Sequence, residues 1–190
     1  MPECNKSTHQ HKGRSSEKLL HKEKILNALN ITRGQIILDA GCGNGYMAKE
    51  FAQLTKKTGK VYAMDMDNAS IEALQATLES DVIEAFAGDI TTKTKLAPSS
   101  IDLVYLSTVL HIFSEKQLQG FIEEVQRLLK PQGILAILEI KKTKTPFGPP
   151  QSMRLSPEEL MGKMPFVSKT TIDVNDYFYM QIFEIPRKST

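Results

Sequence analysis

The chain has 190 residues, of which 41% are hydrophobic and 24% are charged. That length suits a single globular domain with its own hydrophobic core and is short for two full-sized domains. The 24 basic and 22 acidic residues give a formal net charge of +2, which is too balanced to indicate nucleic-acid binding. The two cysteines, Cys4 and Cys42, are too few for a disulfide framework or a four-ligand zinc site.

The longest apolar run, Gly133 to Ile140, is far shorter than the ~18 residues of a membrane span. The polar first residues lack the apolar segment of a secretory signal. We therefore expect a cytoplasmic protein with no bound metal and no membrane or nucleic-acid partner. The charge is unevenly distributed, because residues 31–140 carry 10 basic and 14 acidic groups whereas residues 1–30 and 141–190 are each net positive.

The first 15 residues are polar and aperiodic, which predicts a flexible tail followed by one domain over residues 16–190. From Ser16 onward apolar residues fall on one helical face, and short apolar runs then alternate with helical patterns to about residue 141. Because apolar residues follow one another in these runs, they fit strands buried on both faces of a parallel sheet. The runs are Gln35–Ala40, Lys60–Met64, Val82–Phe86, Ile101–Ser107 and Gly133–Ile140.

Helical patterns separate these runs, and the clearest covers Glu115–Leu129 with a predicted Ser114–Gln117 capping box. Alternating strands and helices imply right-handed crossovers and a doubly wound α/β sheet. Beyond residue 141 a proline-rich loop leads to a short helix with Ser156 as its N-cap. The segment Phe166–Ile185 then predicts an antiparallel hairpin.

The segment Asp39–Gly45 carries the strongest functional signal, because a strand runs into a turn with three alternate glycines and a helix follows at once. Glycines allow a sharp turn and the close approach of a ligand, and N–H groups at a helix start favour polar or anionic groups. The pattern therefore predicts a nucleotide-like cofactor. A dinucleotide fingerprint would need a glycine in place of Tyr46, and no Gly-Lys-Ser/Thr follows as in a P-loop.

Two further acidic residues stand at the ends of the next two predicted strands. Asp65 lies 20 residues after Gly45, where a carboxylate can accept hydrogen bonds from both hydroxyls of a ribose. Asp89 follows the third strand, where it could accept a hydrogen bond from an adenine amino group. Asp39, Asp65 and Asp89 at this spacing favour a nucleoside site over three acids that only cap turns.

Five segments in this order resemble the successive motifs of class I S-adenosylmethionine-dependent methyltransferases, and most closely the type 11 small-molecule group that includes ubiquinone and menaquinone methylases. The resemblance covers about residues 31–141, the predicted cofactor-binding core. It implies a Rossmann-like, mostly parallel seven-stranded sheet with an antiparallel C-terminal hairpin, helices on both faces, and S-adenosylmethionine as the cofactor. The segments are Asp39–Gly45, Asp65, Gly88–Asp89, Ile101–Val104 and Leu129–Gly133, with Gln132 where the family usually has a second glycine.

The resemblance also assigns roles to individual residues. Gly41, Gly43 and Gly45 would lie near the methionine and ribose portions of the cofactor. Asp39 would hold the amino group, directly or through water.

In the same way, Asp65 would bind the ribose hydroxyls and Met66 would contact the adenine face. Asp89 would accept a hydrogen bond from the adenine amine, and Ile90 would cover the other side of the ring.

At the end of the fourth strand, Leu106 and Ser107 would contact the methionyl amine through their carbonyl groups. A sulfonium methyl is already electrophilic, so the protein mainly has to hold the reacting groups in line. Where the acceptor carries a proton, His111 is the candidate general base. Because position is its only support, a packing role for His111 remains the alternative.

Other classes are less consistent with the sequence. A nicotinamide-dependent short-chain reductase would need a Tyr-x-x-x-Lys pair, which no tyrosine provides. A module that binds S-adenosylmethionine without turnover remains open. The basic segments 16–30 and 142–165 are expected to cap the acceptor pocket of a monomer or homodimer, which favours a small acceptor with an acidic or polar group.

Overall fold

The structure, a computed structural model, describes residues 20–185. Within them seven strands and five α-helices follow one another along the chain. The strands are β1 (Ile36–Ala40), β2 (Lys60–Asp65), β3 (Ile83–Ala87), β4 (Ile101–Ser107), β5 (Leu129–Ile140), β6 (Val167–Asp173) and β7 (Phe178–Glu184). The helices are α1 (Lys22–Leu29), α2 (Tyr46–Thr55), α3 (Asn68–Gln75), α4 (Glu115–Leu128) and α5 (Pro157–Lys163).

The strands form one sheet in the order β3-β2-β1-β4-β5-β7-β6. Strands β1 to β5 pair in parallel, whereas β7 runs antiparallel to both of its neighbours, β5 and β6. The predicted α/β fold with a C-terminal hairpin is therefore confirmed. The order reverses at β1, since β2 lies on one side of it and β4 on the other.

Helices cover both faces of the sheet, which explains why its central strands are apolar on both sides. One buried cluster contains Ile25 of α1, Phe51 of α2 and Ile71 of α3. The other contains Phe121 of α4 and Leu160 of α5. Over the central strands, this double layer leaves the two ends of the strands open to a ligand.

The boundary between α4 and β5 differs from the prediction. The helix ends at Leu128 and the strand starts at Leu129, four residues before the predicted start. Ile101 pairs with Leu129, and an irregularity in the register follows before Leu103 pairs with Ile134. Gln132 sits in this irregular stretch with a φ of +67°, a conformation that glycine adopts more readily.

The remaining local predictions agree with the structure where it describes them. Capping boxes begin α4 at Ser114 and α5 at Ser156. No helix within residues 20–185 is long and apolar enough to cross a membrane. The predicted tail over residues 1–15 lies outside the described residues, and the cytoplasmic location stays a prediction.

Two glycines within helices provide a matched test of the packing of α4. A Cβ atom on Gly120 would lie 2.0 Å from the Thr91 carbonyl oxygen, whereas one on Gly162 of α5 would meet no atom within 4 Å. We expect Gly120→Ala to lower the free energy of unfolding by about 1–3 kcal/mol through overpacking. Gly162→Ala should raise it by up to about 1 kcal/mol through helix propensity.

Urea denaturation of both variants and the wild type measures these changes. Equal stability of Gly120→Ala and the wild type would contradict the close contact between α4 and the segment after β3.

Candidate functional site

The candidate site lies at the carboxyl ends of β1, β2, β3 and β4. In open α/β sheets, ligands bind in the crevice where the strand order reverses. Here that crevice opens at the end of β1, between β2 and β4. The sequence-predicted acids Asp39, Asp65 and Asp89 lie at or directly after the ends of three neighbouring strands.

Hydrogen bonds join the turn between β1 and α2 to the end of β2. The N–H groups of Gly41 and Cys42 both donate to the Met64 carbonyl oxygen, at 2.7 and 3.0 Å. The Gly43 N–H donates to Asp65 Oδ2 at 2.8 Å. The turn is therefore shaped by hydrogen bonds from a neighbouring strand as well as by its own residues.

The three glycines of the turn have different surroundings, although all have positive φ. A Cβ atom on Gly41 would lie 2.7 Å from a methyl of Val109, and one on Gly45 would lie 2.6 Å from a methyl of Leu74. A Cβ atom on Gly43 would meet nothing within 4 Å. Gly41 and Gly45 thus allow close packing, and Gly43 borders open space that a ligand could occupy.

The end of β2 presents a carboxylate and an exposed apolar side chain. Asp65 is half-buried, and its Oδ1 accepts a hydrogen bond from the Asp67 N–H at 2.9 Å. A carboxylate offers about four acceptor positions, so the two backbone contacts leave capacity for hydroxyl groups. Met66 beside it is 66% exposed, which suits contact with a planar ring.

The segment after β3 orients Asp89. Its Oδ1 accepts hydrogen bonds from the N–H and the hydroxyl of Thr91, at 2.8 and 2.7 Å. No described residue donates to its Oδ2, which remains free for an amino group. Ile90 is only 5% exposed and packs in the cluster of the α4 face, so it offers a ring less surface than Met66 does.

Asp39 is the most unusual residue of the site. Its side chain is 2% exposed, and among the described residues its Oδ2 has no hydrogen-bond partner. Burial raises the pKa of this carboxyl to about 7; the Ala48 N–H opposes the shift and the charge of Asp65 adds to it. An unpartnered buried carboxyl is costly, and a cation or hydrogen-bond donor at this position would stabilise it.

The end of β4 leads into a tight turn. Leu106 is fully buried and Ser107 is half-buried. The Ser107 carbonyl oxygen accepts from the Thr108 hydroxyl at 2.8 Å, and Thr108 has a φ of +55°. The predicted contacts of the Leu106 and Ser107 carbonyls with the methionyl amine remain predictions.

His111 follows this turn and contacts Glu139, which is not among the predicted site residues. Its Nδ1 lies 3.0 Å from Oε2 of Glu139, whose Oε1 accepts from the Leu110 N–H at 3.0 Å. Glu139 is 1% exposed. A charged residue inside the otherwise apolar β5 run was the signal in the sequence.

Comparisons with known proteins agree with this geometry. A family model described as a methyltransferase domain matches residues 37–133. The chain is 30% identical over 130 residues to the ubiquinone/menaquinone biosynthesis C-methyltransferase UbiE of Hydrogenovibrio crunogenus, covering 67% of this chain and 50% of that protein. It is 28% identical over 167 residues to the S-adenosyl-L-methionine-dependent Diels-Alderase iccD of Talaromyces variabilis, covering 86% and 56%.

The fold comparison covers more of the chain. The crystal structure of a SAM dependent methyltransferase from Aquifex aeolicus matches with a TM-score of 0.81 and 25% identity, over 92% of this chain and 94% of that one. The chain spans about half the length of the curated relatives it matches.

The raised pKa of Asp39 predicts a pH dependence of stability. The ordinary pKa of an aspartate is 3.8, and the pKa of Asp39 in the folded protein is about 7. Between these two pH values the folded state keeps a proton that the unfolded chain has released. The contribution of Asp39 to stability is therefore fully present below about pH 4 and is lost as the pH rises through about 7. We expect Asp39→Asn to remove this decline.

Chemical denaturation of the ligand-free protein between about pH 5 and 8 measures this decline of stability with pH. Asp81→Asn, at an exposed residue, is the control. A pH slope in Asp39→Asn equal to that of the wild type would contradict the assignment.

Proposed function

Since the chain belongs to the methyltransferase domain family, we propose that it binds S-adenosylmethionine and transfers the sulfonium methyl group to a small-molecule acceptor. The observation that carries this proposal is the open space beside Gly43, which lies at the sheet's reversal point and is bordered by the Asp65 carboxylate. Family membership implies the cofactor, and the residues at this edge agree with its chemistry.

Each part of the cofactor finds a suitable group in the site. The unpartnered Asp39 Oδ2 suits a cationic amino group. Asp65 suits the two ribose hydroxyls, Met66 suits one face of the adenine, and the free oxygen of Asp89 suits the adenine amine. We propose these four residues, together with Gly43, as the cofactor contacts.

The main task of the protein in this reaction is alignment. The bound cofactor supplies a methyl group on a positively charged sulfur, which is electrophilic without further activation. The glycine turn and the ends of β1, β2 and β4 would hold the cofactor in one position. An acceptor that enters the crevice then meets the methyl group in a fixed orientation. Holding reacting atoms ~3–3.5 Å apart can lower the barrier by up to about 7–11 kcal/mol.

His111 is the proposed general base for acceptors whose nucleophilic atom carries a proton. The buried Glu139 carboxylate holds His111 Nδ1 at 3.0 Å, which favours the tautomer with the proton on that nitrogen. Nε2 then has a free lone pair. This contact supports the proposed base more strongly than position alone, although the Leu110 N–H bond also gives Glu139 a structural role.

The acceptor is proposed to be a small polar molecule. The basic segment 142–165 was expected to favour an acidic or polar acceptor, but its Lys142 pairs with Glu159, and Lys141 just before it pairs with Asp173. These pairs reduce the positive charge that the composition indicated. A polar acceptor therefore fits the described residues better than a strongly anionic one.

Cofactor binding without methyl transfer is the second candidate function. The similarity to the S-adenosyl-L-methionine-dependent Diels-Alderase iccD, which extends over 86% of this chain, favours this candidate, because that relative is named for a reaction other than methylation. Formation of S-adenosylhomocysteine distinguishes the two functions, since only methyl transfer produces it.

The cofactor assignment predicts the effect of Asp65→Ala. Loss of the two proposed hydrogen bonds from the ribose hydroxyls to this carboxylate, at about 1.5–3 kcal/mol each, should weaken the binding of S-adenosylmethionine by roughly 10²- to 10⁴-fold in isothermal titration. Asp67→Ala is the matched control: it removes the exposed cap of α3, lowers stability by about 1 kcal/mol and should leave the affinity within about twofold. Tight NADH binding with none of S-adenosylmethionine would contradict the assignment.

The role of His111 is tested by turnover. A metabolite-extract screen with a radiolabelled methyl donor identifies an acceptor, and His111→Gln should then lower kcat by about 10²- to 10⁴-fold with unchanged affinity for S-adenosylhomocysteine. An unchanged kcat would assign His111 to packing alone. If no fraction accepts label although the cofactor binds, the second candidate function is favoured.

A further inference from the structure

Two buried polar atoms lack a hydrogen-bond partner among the described residues, namely Asp39 Oδ2 and the Tyr105 hydroxyl oxygen. They belong to neighbouring strands, and Asp39 of β1 pairs with Tyr105 of β4 in the parallel register. Side chains of paired residues on adjacent strands leave the same face of the sheet. The two side chains therefore lie on the same face of the sheet, beneath α2, which provides the Ala48 N–H near Asp39 and the Phe51 ring against Tyr105.

The surroundings of Tyr105 fix its ring but not its hydroxyl. The side chain is fully buried, and the ring meets Phe51 of α2 edge-on at 5.3 Å between centroids. Burial raises the pKa of the Tyr105 phenol, an effect that the nearby Ser107 hydroxyl opposes and the charge of Asp39 increases. Ser107 does not complete a hydrogen bond to the phenol.

A phenylalanine at this position would make the same ring contact without burying a hydroxyl. Buried polar groups in native proteins are nearly always paired, and an exception calls for an explanation. Here the two exceptions are on paired residues of adjacent strands, and Asp39 lies two residues before the first glycine of the turn. A single donor group placed between them would satisfy both oxygens.

We propose that Tyr105 is a positioning residue of the cofactor site, which shares one hydrogen-bond donor with Asp39 and so aligns that carboxylate with the ammonium group of the cofactor. The donor is either the ammonium itself or one water that joins the ammonium to both oxygens. This inference deepens the proposed cofactor site and rests on it. It concerns only the amino-acid end of the ligand, because the adenosine contacts lie on β2 and after β3.

The proposal is tested by whether loss of the Tyr105 hydroxyl weakens only those ligands that carry the ammonium group. Tyr105→Phe removes the hydroxyl and keeps the ring, and Tyr62→Phe is the matched control, since Tyr62 of β2 also makes an edge-on ring contact, with Phe86. The two probes are S-adenosylhomocysteine, which carries the ammonium, and methylthioadenosine, which has the same thioether nucleoside without the amino acid.

We expect Tyr105→Phe to weaken S-adenosylhomocysteine by about 3- to 10-fold in isothermal titration, as for one lost hydrogen bond. Its affinity for methylthioadenosine should stay within about twofold, and the thermal midpoint of the ligand-free protein should be equal or higher. Tyr62→Phe should change neither affinity.

Wild-type affinity of Tyr105→Phe for both ligands would overturn the proposal, and so would an equal loss for both, which indicates a general structural effect. If the wild type binds neither probe, the proposed cofactor site itself fails. If Asp39→Asn weakens only S-adenosylhomocysteine while Tyr105→Phe has no effect, the cofactor site stands and the role of Tyr105 is rejected.

Discussion

The hydrogen bond from the Gly43 N–H to Asp65 is the contact on which the site depends. It joins the turn after β1 to the carboxylate at the end of β2, and the bonds from Gly41 and Cys42 to the Met64 carbonyl oxygen reinforce it. Asp65 thereby shapes the turn and lines the open space beside it. Because one residue serves both purposes, the geometry of the crevice and its capacity to bind hydroxyl groups are coupled.

Several locally unfavourable features lie at the site. The positive φ angle of Thr108, and the oxygens of Asp39 and Tyr105 that have no partner among the described residues, lie near the reversal point of the sheet. Each lowers stability, and the two packed faces of the sheet offset them. Such strain at a ligand site is common in proteins, and it gives this edge of the sheet a physical reason to bind a cationic, hydroxyl-bearing ligand.

The sequence predicted the residues whose role depends on local order along the chain. Gly43 and Asp65 could be predicted as parts of one site because a strand end and a glycine turn have recognisable spacing, and the structure joins them by a hydrogen bond. The start of β5 was missed because an irregular pairing with β4 extends the strand. Glu139 and Tyr105 could not be predicted, because Glu139 contacts the turn after β4 and Tyr105 is brought beside β1 only by the sheet. Such contacts depend on sheet register, which one sequence does not specify.

An amide proton–nitrogen correlation spectrum during titration with S-adenosylhomocysteine shows directly whether the cofactor binds beside the glycine turn. We expect the largest shifts at Gly43, Asp65 and the segment around Asp89, and little change at Gly59, which lies before the start of β2 at the opposite end of the strands. Shifts confined to that opposite end, or none at the glycine turn under saturating ligand, would contradict binding at this site.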